Sequence, residues 1–406
     1  MSNIKNLRNY LRGSTVLSMA LLVGAEIGVA HAGTAVPKAP SYEVVYSFGS
    51  SGYYPQDGMV KDSAGNLYGI TGEGGNTSCF NGAGCGTVFK LAPDGTETVL
   101  YAFAGGNDGE SPIGSVVLDK TGNVYGTTNG GGPSDWGTVF KVAPDGTETV
   151  LYTFTGGADG GAPWSGLILG KKGVLYGTTT SGGAYGYGVV FEIEADGTEK
   201  VLYAFTGGND GAVPWAGLIR DKAGNLYGTT LVGGASSDGT IFKVAPDGTE
   251  TVLHSFAGGN DGANPEAGLT EDSSGNFYGT AHAGGASNAG TVFELTPDGT
   301  ETTLYSFTGG SDGAYPFVGS LFRDKLGNLY GTTPYGGNGE QGAGKGVVFK
   351  VAPDGTETVL HTFTGGTTDG ASPQSHTLVR YNGYLYGTTE SGGANNGGTI
   401  FKIKAK

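Results

Sequence analysis

Few residues in this chain could do chemistry, and their types and spacing narrow what that chemistry would be. Outside the first 32 residues there are four histidines, His254, His282, His361 and His376. A general acid–base centre would need one of them beside a carboxylate: His376 is the candidate to face Glu266, while His282 falls in a long loop of the fifth unit. Six aspartates, Asp108, Asp159, Asp210, Asp261, Asp312 and Asp369, each occupy a Gly-Gly-x-Asp-Gly stretch or a one-residue variant of it. Calcium takes about 6–8 oxygens, and each stretch offers a single carboxylate. Asp-Gly is an ordinary turn pair, so these aspartates read as turn residues and no metal site is expected. Seven further positions, each following a proline, differ from one another where the surrounding sequence hardly changes. They are Gln56, Ile113, Trp164, Trp215, Glu266, Phe317 and Gln374. Trp164 and Trp215 could stack on a sugar ring or hold an apolar peptide side chain. They could equally serve only to fill space between packed elements.

What must position these residues is a repeat. A Leu-Tyr-Gly-Thr-Thr type motif places its tyrosine at Tyr68, Tyr125, Tyr176, Tyr227, Tyr278, Tyr330 and Tyr386, at intervals of about 51 residues with longer steps near both ends. A Gly-Thr-Val-Phe-Lys type motif places its phenylalanine at Phe89, Phe140, Phe191, Phe242, Phe293, Phe349 and Phe401. Each unit reads as four short strands rich in Val, Ile, Tyr, Phe and Thr. In the fourth unit they are residues 217–220, 225–230, 240–244 and 251–256. Asp221 to Asn225 and Pro246 to Thr249 are tight hairpin turns in which glycine takes positive φ. The other two connections are longer and glycine-rich.

Four strands per unit of this length, repeated seven times, predict an all-β fold: a seven-bladed β-propeller with four-stranded blades. Residues 43–48 match a fourth strand, and the chain ends just after the third strand of the seventh unit. The first strand should therefore complete the last blade and close the ring, leaving no open edge. The two tight turns then share one face, and both long loops share the opposite, top face. The seven variable residues are expected around the top mouth of the central channel. Trp136, Tyr185, Tyr187, Tyr315 and Tyr335 are further top-loop aromatics. Near-identical blades repeat one residue seven times, whereas catalysis needs unlike groups at one point. His254 and His361 replace a fourth-strand tyrosine and read as packing variants. No nucleophile elbow, P-loop or zinc signature is present, so no catalytic residue and no cofactor is assigned.

The first 32 residues read as a secretory signal peptide: Lys5, Arg8 and Arg12, an apolar stretch from Val16, and Ala30-His31-Ala32 before the cut. Residues 33–41 would be a linker and 42–406 a single propeller domain. After signal removal no membrane insertion is expected. The whole chain carries −15, and its leader is net positive, so the exported part is more acidic still. Such a surface repels phosphate backbones, which excludes nucleic acid as the expected partner. Glycine is abundant, 82 residues, but lacks the every-third-residue period of collagen. Cys79 and Cys85, the only cysteines, are expected as a disulfide closing a short loop, worth about 2 kcal/mol by chain entropy.

The run Pro214 to Leu218, Asp221 to Thr230 and Gly239 to Lys243 carries the pattern Pro-x-x-Gly-Leu, Asp-x-x-Gly-Asn-Leu-Tyr-Gly-Thr-Thr and Gly-Thr-Val-Phe-Lys, with Ile241 for valine. In this the chain resembles the Gloeo/Verruco tandem-repeat family of choice-of-anchor proteins over residues 42–404, and more loosely NHL-type blades. The resemblance implies bacterial export and, in many members, a C-terminal sorting segment. It implies no activity. This chain departs from the anchored members by ending Lys404-Ala405-Lys406 without a hydrophobic tail. The expectation is a monomeric, non-catalytic binding propeller, periplasmic or extracellular, taking a glycan or protein at the top face. An enzyme of lyase or hydrolase type at the channel mouth and a structural surface or matrix protein are the alternatives.

Overall fold

The computed structural model describes residues 42–405 apart from 56, 57, 318, 341, 375 and 376. The expected signal peptide and linker lie outside the described residues. Seven four-stranded antiparallel sheets follow one another in a ring as the blades of a β-propeller. In the fourth blade the strands are Ile219–Arg220, Leu226–Thr230, Thr240–Val244 and Glu250–Ser255. The innermost strand is shorter than the sequence suggests. Only Ile219 and Arg220 pair with the second strand, because residues before them turn inward to pack on neighbouring blades. Blade two is the exception, with Glu110–Leu118 paired across a register shift between Ile113 and Val117. The seventh sheet takes its outermost strand from the start of the domain. Tyr42–Ser47 pairs antiparallel with Thr399–Lys404, from Tyr42 opposite Ile403 to Ser47 opposite Thr399.

The repeated motif has a physical reason at each position. In the turn between first and second strands, Asp221 Oδ1 accepts the Asn225 and Gly224 N–H groups, while Oδ2 accepts the Asn225 amide and the Tyr227 hydroxyl. One carboxylate thus fixes the whole Asp-x-x-Gly-Asn-x-Tyr segment, and Asp119, Asp272 and Asp324 repeat it closely. Burial works against these charges, yet the hydrogen bonds outweigh it and hold Asp119 down at about 2.

The second-strand glycine answers to the third-strand phenylalanine. Each of Phe89, Phe140, Phe191, Phe242, Phe293, Phe349 and Phe401 is fully buried. Each ring brings its tip to the glycine that follows the second-strand tyrosine, so that a Cβ there would meet the ring tip at 2.5–2.8 Å. The same ring receives the edge of a phenylalanine from the preceding blade. Phe48–Phe89, Phe103–Phe140, Phe154–Phe191 and Phe205–Phe242 lie 5.0–5.2 Å apart in T-shaped contact. Phe256–Phe293, Phe307–Phe349 and Phe363–Phe401 continue the series at 5.1–5.3 Å. Such pairs contribute about 0.5–1.5 kcal/mol each beyond their burial.

A polar seam runs outside these rings. The aspartate of Gly-Gly-x-Asp-Gly receives the fourth-strand tyrosine: Tyr101 to Asp108 at 2.8 Å, Tyr203 to Asp210 at 2.9 Å, Tyr305 to Asp312 at 2.9 Å. It also accepts a backbone N–H four residues back, as from Ala104 and Thr206. His254 and His361 take the tyrosine's place on Asp261 and Asp369, as substitutes for it in the seam. Facing each of these aspartates except Asp369 across the blade boundary is the glutamate that opens the next fourth strand. Burial first, and the aspartate charge second, push Glu148, Glu199, Glu250, Glu301 and Glu357 up to about 7.

The loop between the second and third strands of the first blade is tied by the Cys79–Cys85 disulfide, with Cα atoms 5.0 Å apart. Among the described residues no helix is long and apolar enough to cross a membrane.

Two expectations follow from this packing. Gly228→Ala, at a site with ordinary φ, should cost about 1–3 kcal/mol in urea unfolding, because its methyl must displace Phe242 and Leu218. A carboxyl raised on folding contributes most below its ordinary value near 4.5 and loses that contribution as pH rises through about 7. The depressed turn aspartates act oppositely and lose theirs as pH falls below about 3.8. The melting temperature should therefore rise as pH is lowered from 8.5 to 5.5, and fall again in stronger acid. Replacing Glu148, Glu199, Glu250 and Glu357 by glutamine should flatten the slope above pH 5.5. An unchanged slope in calorimetry would count against the seam as its source.

Candidate functional site

The long loops are locked to each other before any side chain is considered. The loop entering each blade bridges the loop between its second and third strands: Tyr53 with Glu73, Gly161 with Ser181, Ala212 with Val232, Ala263 with Ala283, Ala314 with Tyr335. Both long loops therefore share one face. The residue before each entry proline takes positive φ, from Ala162 at 51° to Val213 at 57°. That conformation is costly for a β-branched side chain and persists only where surroundings over-determine it. Here they do. Val213 donates its N–H to the Tyr187 carbonyl of the preceding loop and accepts one from Leu231. Ala162 makes the equivalent pair with Trp136 and Thr180. The next residue after the proline is one of the seven variable positions, so it sits on rigid backbone.

Where these side chains go is uneven. Trp164 and Trp215 meet edge to face at 5.0 Å, and Trp215 reaches Phe317 at 6.2 Å. Trp215 precedes the fourth blade and Phe317 the sixth, so they meet across the fifth, as residues near the propeller axis do. His282 continues the group, 6.0 Å from Phe317 and stacked on Tyr315 at 5.3 Å, with Tyr335 edge-on to Tyr315. Nδ1 of His282 lies 3.1 Å from Oε2 of Glu266. That contact lacks hydrogen-bond alignment, and both atoms are buried without a partner. The indole N–H of Trp215 is buried and unpartnered as well. Blades three to six thus present aromatic faces, one free N–H donor and one carboxylate at a single place.

The remaining predicted positions behave differently. Ile113 is buried and sits in a strand opposite Thr127. Gln374 is half-buried and donates to Glu390 at 2.8 Å. Gln56 and His376 lie outside the described residues; among the described histidines it is His282 that stands beside Glu266. Trp136, expected as a top-loop aromatic, lays its ring against Gly156 and Gly161 of the loop entering the third blade. Tyr185 is 60% and Tyr187 44% exposed on the outer loops. Sequence reading missed a second set of axial residues. Thr127, Thr178 and Thr229 donate to the carbonyls of Ser165, Ala216 and Ala267 in the following blade, pinning each variable residue's neighbourhood to the blade before it. Their signal was present as the first Thr of Gly-Thr-Thr, a polar residue repeated at a fully buried position.

Comparison with known proteins adds the family. No curated protein matches the sequence. Among solved structures, two of the extracellular domain of BT4673 from B. thetaiotaomicron share the fold. The first, described as from a one component system, is 13% identical with TM-score 0.55, covering 90% of this chain and 42% of that one. The second, described as from a hybrid two component system, is 10% identical with TM-score 0.56, covering 89% and 39%. This chain therefore spans about two fifths of their length. A protein described as a gluconolactonase is 15% identical over 91% of this chain and 93% of its own, but its TM-score of 0.43 carries no argument. The Gloeobacter/Verrucomicrobia repeat matches residues 24–180, 80–273 and 323–406, most of the chain. Sevenfold repetition of the motif and the family match agree, and the chain belongs to the Gloeobacter/Verrucomicrobia repeat family.

Proposed function

We propose that this propeller is an exported binding module whose ligand, a glycan, seats on the aromatic group of blades three to six. The observation that carries the reading is the buried, unpartnered Trp215 indole N–H among packed rings, in the same group as Glu266, whose Oε2 lies 3.1 Å from His282 Nδ1 without making a hydrogen bond. A buried polar atom without a partner costs roughly 1–3 kcal/mol, so it is retained where a ligand can satisfy it. A pyranose offers what the site lacks: an apolar face for rings, a hydroxyl to donate to Glu266 and an oxygen to accept from Trp215. The disulfide supports an oxidising compartment, periplasmic or extracellular. The acidic chain argues against nucleic acid, and a monomer satisfies the fold. The sensor-protein extracellular domains that share the fold are in keeping with binding rather than turnover.

A second reading, an enzyme, rests on one observation. His282 and Glu266 stand 3.1 Å apart in an aromatic surround, as an acid–base pair would. A protein ligand gripping the rings is the third outcome.

The test uses a Trp136→Phe background, which leaves Trp164 and Trp215 as the only tryptophans. Soluble envelope oligosaccharides should give a saturable fluorescence shift. Trp164→Ala, at a half-buried position, should weaken binding by about tenfold with little loss of stability. Trp215→Phe keeps the ring and removes the N–H, and should weaken binding similarly. Binding unaffected by both variants would remove this site. Product formation that Glu266→Gln abolishes would favour the enzyme.

A further inference from the structure

The sevenfold repeat is its own control, and one seam breaks the pattern with two polar replacements that converge. In the fourth blade the seam tyrosine is replaced by His254, and in the fifth the valine two residues past the seam glutamate is replaced by Thr303. Both changes face the same point between the blades. His254 Nε2 lies 2.9 Å from Asp261 Oδ1. Thr303 donates to the Asn260 carbonyl at 2.8 Å and approaches Glu301 Oε1 at 3.3 Å. One donor atom from each of His254, Asp261 and Glu301 lies within 4.8 Å of the others. The point opens on a cleft of about 480 Å³ lined by Asn260, Asp261, Glu301, Thr303 and Ser306.

We propose that His254, Asp261 and Glu301 bind one divalent transition-metal ion of the zinc class at this junction. An imidazole nitrogen with two carboxylates is a donor set for zinc rather than for calcium, which takes oxygen ligands throughout. The cleft leaves the fourth position to water. The charges balance, because two carboxylates meet a dication while neutral imidazole supplies a lone pair. Today's Nε2 hydrogen bond to Asp261 becomes coordination, with the ring proton carried on Nδ1. Asp261 keeps its other oxygen on the Ala257 N–H at 2.6 Å and so keeps the loop in place.

The other histidine junction lacks this composition. His361 approaches Asp369 at 3.2 Å, but the residue in the glutamate's place is Tyr42, whose ring stacks on His361 at 3.6 Å. The junctions of Tyr101, Tyr152, Tyr203 and Tyr305 keep the two carboxylates and lack the imidazole, and that of Tyr46 has Glu97 without a loop aspartate. The role that fits the position is a clasp between the outer strands of blades four and five.

The experiment is a calorimetric titration of the tag-free chain, stripped with chelator, with zinc chloride at pH 7.5 and excess calcium present. One equivalent should bind, and the melting temperature should rise. His254→Tyr installs the residue of the sister blades, so the fold is kept, and affinity should fall by at least about tenfold. Glu301→Gln should weaken binding likewise, and His361→Tyr should leave it unchanged. Cobalt(II) should give the visible spectrum of a low-coordinate nitrogen–oxygen site in the parent chain and lose it in His254→Tyr. Absence of saturable zinc binding, or equal binding by His254→Tyr, overturns the proposal.

Discussion

The structure depends on one contact made seven times: a fully buried phenylalanine set against a glycine of its own blade and struck edge-on by a phenylalanine of the blade before. The glycine cannot be enlarged, because the ring tip occupies the space of a Cβ. The ring cannot shift, because the neighbour's edge fixes it. Blade spacing is thereby set by three atoms' worth of geometry rather than by the strands as such. This explains why the Tyr-Gly-Thr and Val-Phe-Lys segments scarcely vary while the loops do. It also explains how a chain with so much glycine folds at all. At these positions the missing side chain is the surface on which another packs.

Outside that contact the molecule divides into two polar systems with opposite tolerances. Turn aspartates such as Asp221 spend their oxygens on local N–H and hydroxyl groups, so they are held charged; only the third and seventh blades, with Gly170 and Tyr381 at this position, turn without one. The seam carboxylates are less settled. Glu148 or Glu250 stands half-buried beside an aspartate with one oxygen unpartnered, which favours its protonated form. The seam therefore holds the blades while remaining responsive to whatever supplies positive charge, a proton in most blades. Where His254 and Thr303 replace apolar or phenolic partners, the same place acquires the donors for something larger.

Much of this was legible in the residues. The repeat period and the turn motifs predict seven four-stranded blades, and Asp-Gly pairs read as turn residues do hold turns, as Asp210 shows on Thr206. The length of the innermost strand was not legible, since Gly217 and Leu218 look like strand residues and only axial packing turns them away. The candidate site was legible as a set of positions but not as an arrangement. Periodicity marks Trp164, Trp215 and Phe317 as variable, yet only a closed ring of blades reveals that residues of the fourth and sixth meet across the fifth. Ile113 looked equivalent and is instead part of a strand, because blade two extends its inner pairing. His282 lies outside the variable position altogether, and its approach to Glu266 depends on how one loop folds over another.

In a near-symmetric ring, function has to reside in what breaks the symmetry, because a sevenfold average of identical groups cannot grip one asymmetric ligand. The departures are not scattered evenly. Trp164, Trp215, Glu266, His282, Tyr315 and Phe317 gather at the axis of blades three to six, and His254 and Thr303 at the outer edge between four and five. Blades four and five contribute to both. Their loops are joined by the same bridges that fix every blade, with Asn264, just before Glu266, donating its N–H to the Asp238 carbonyl. The two groups of departures thus lie on loops and strands held together by backbone hydrogen bonds rather than on free-standing ones. The seam between these two blades is where the repeat's tyrosine and valine have both given way, to His254 and Thr303, beside the two carboxylates that the other seams also carry.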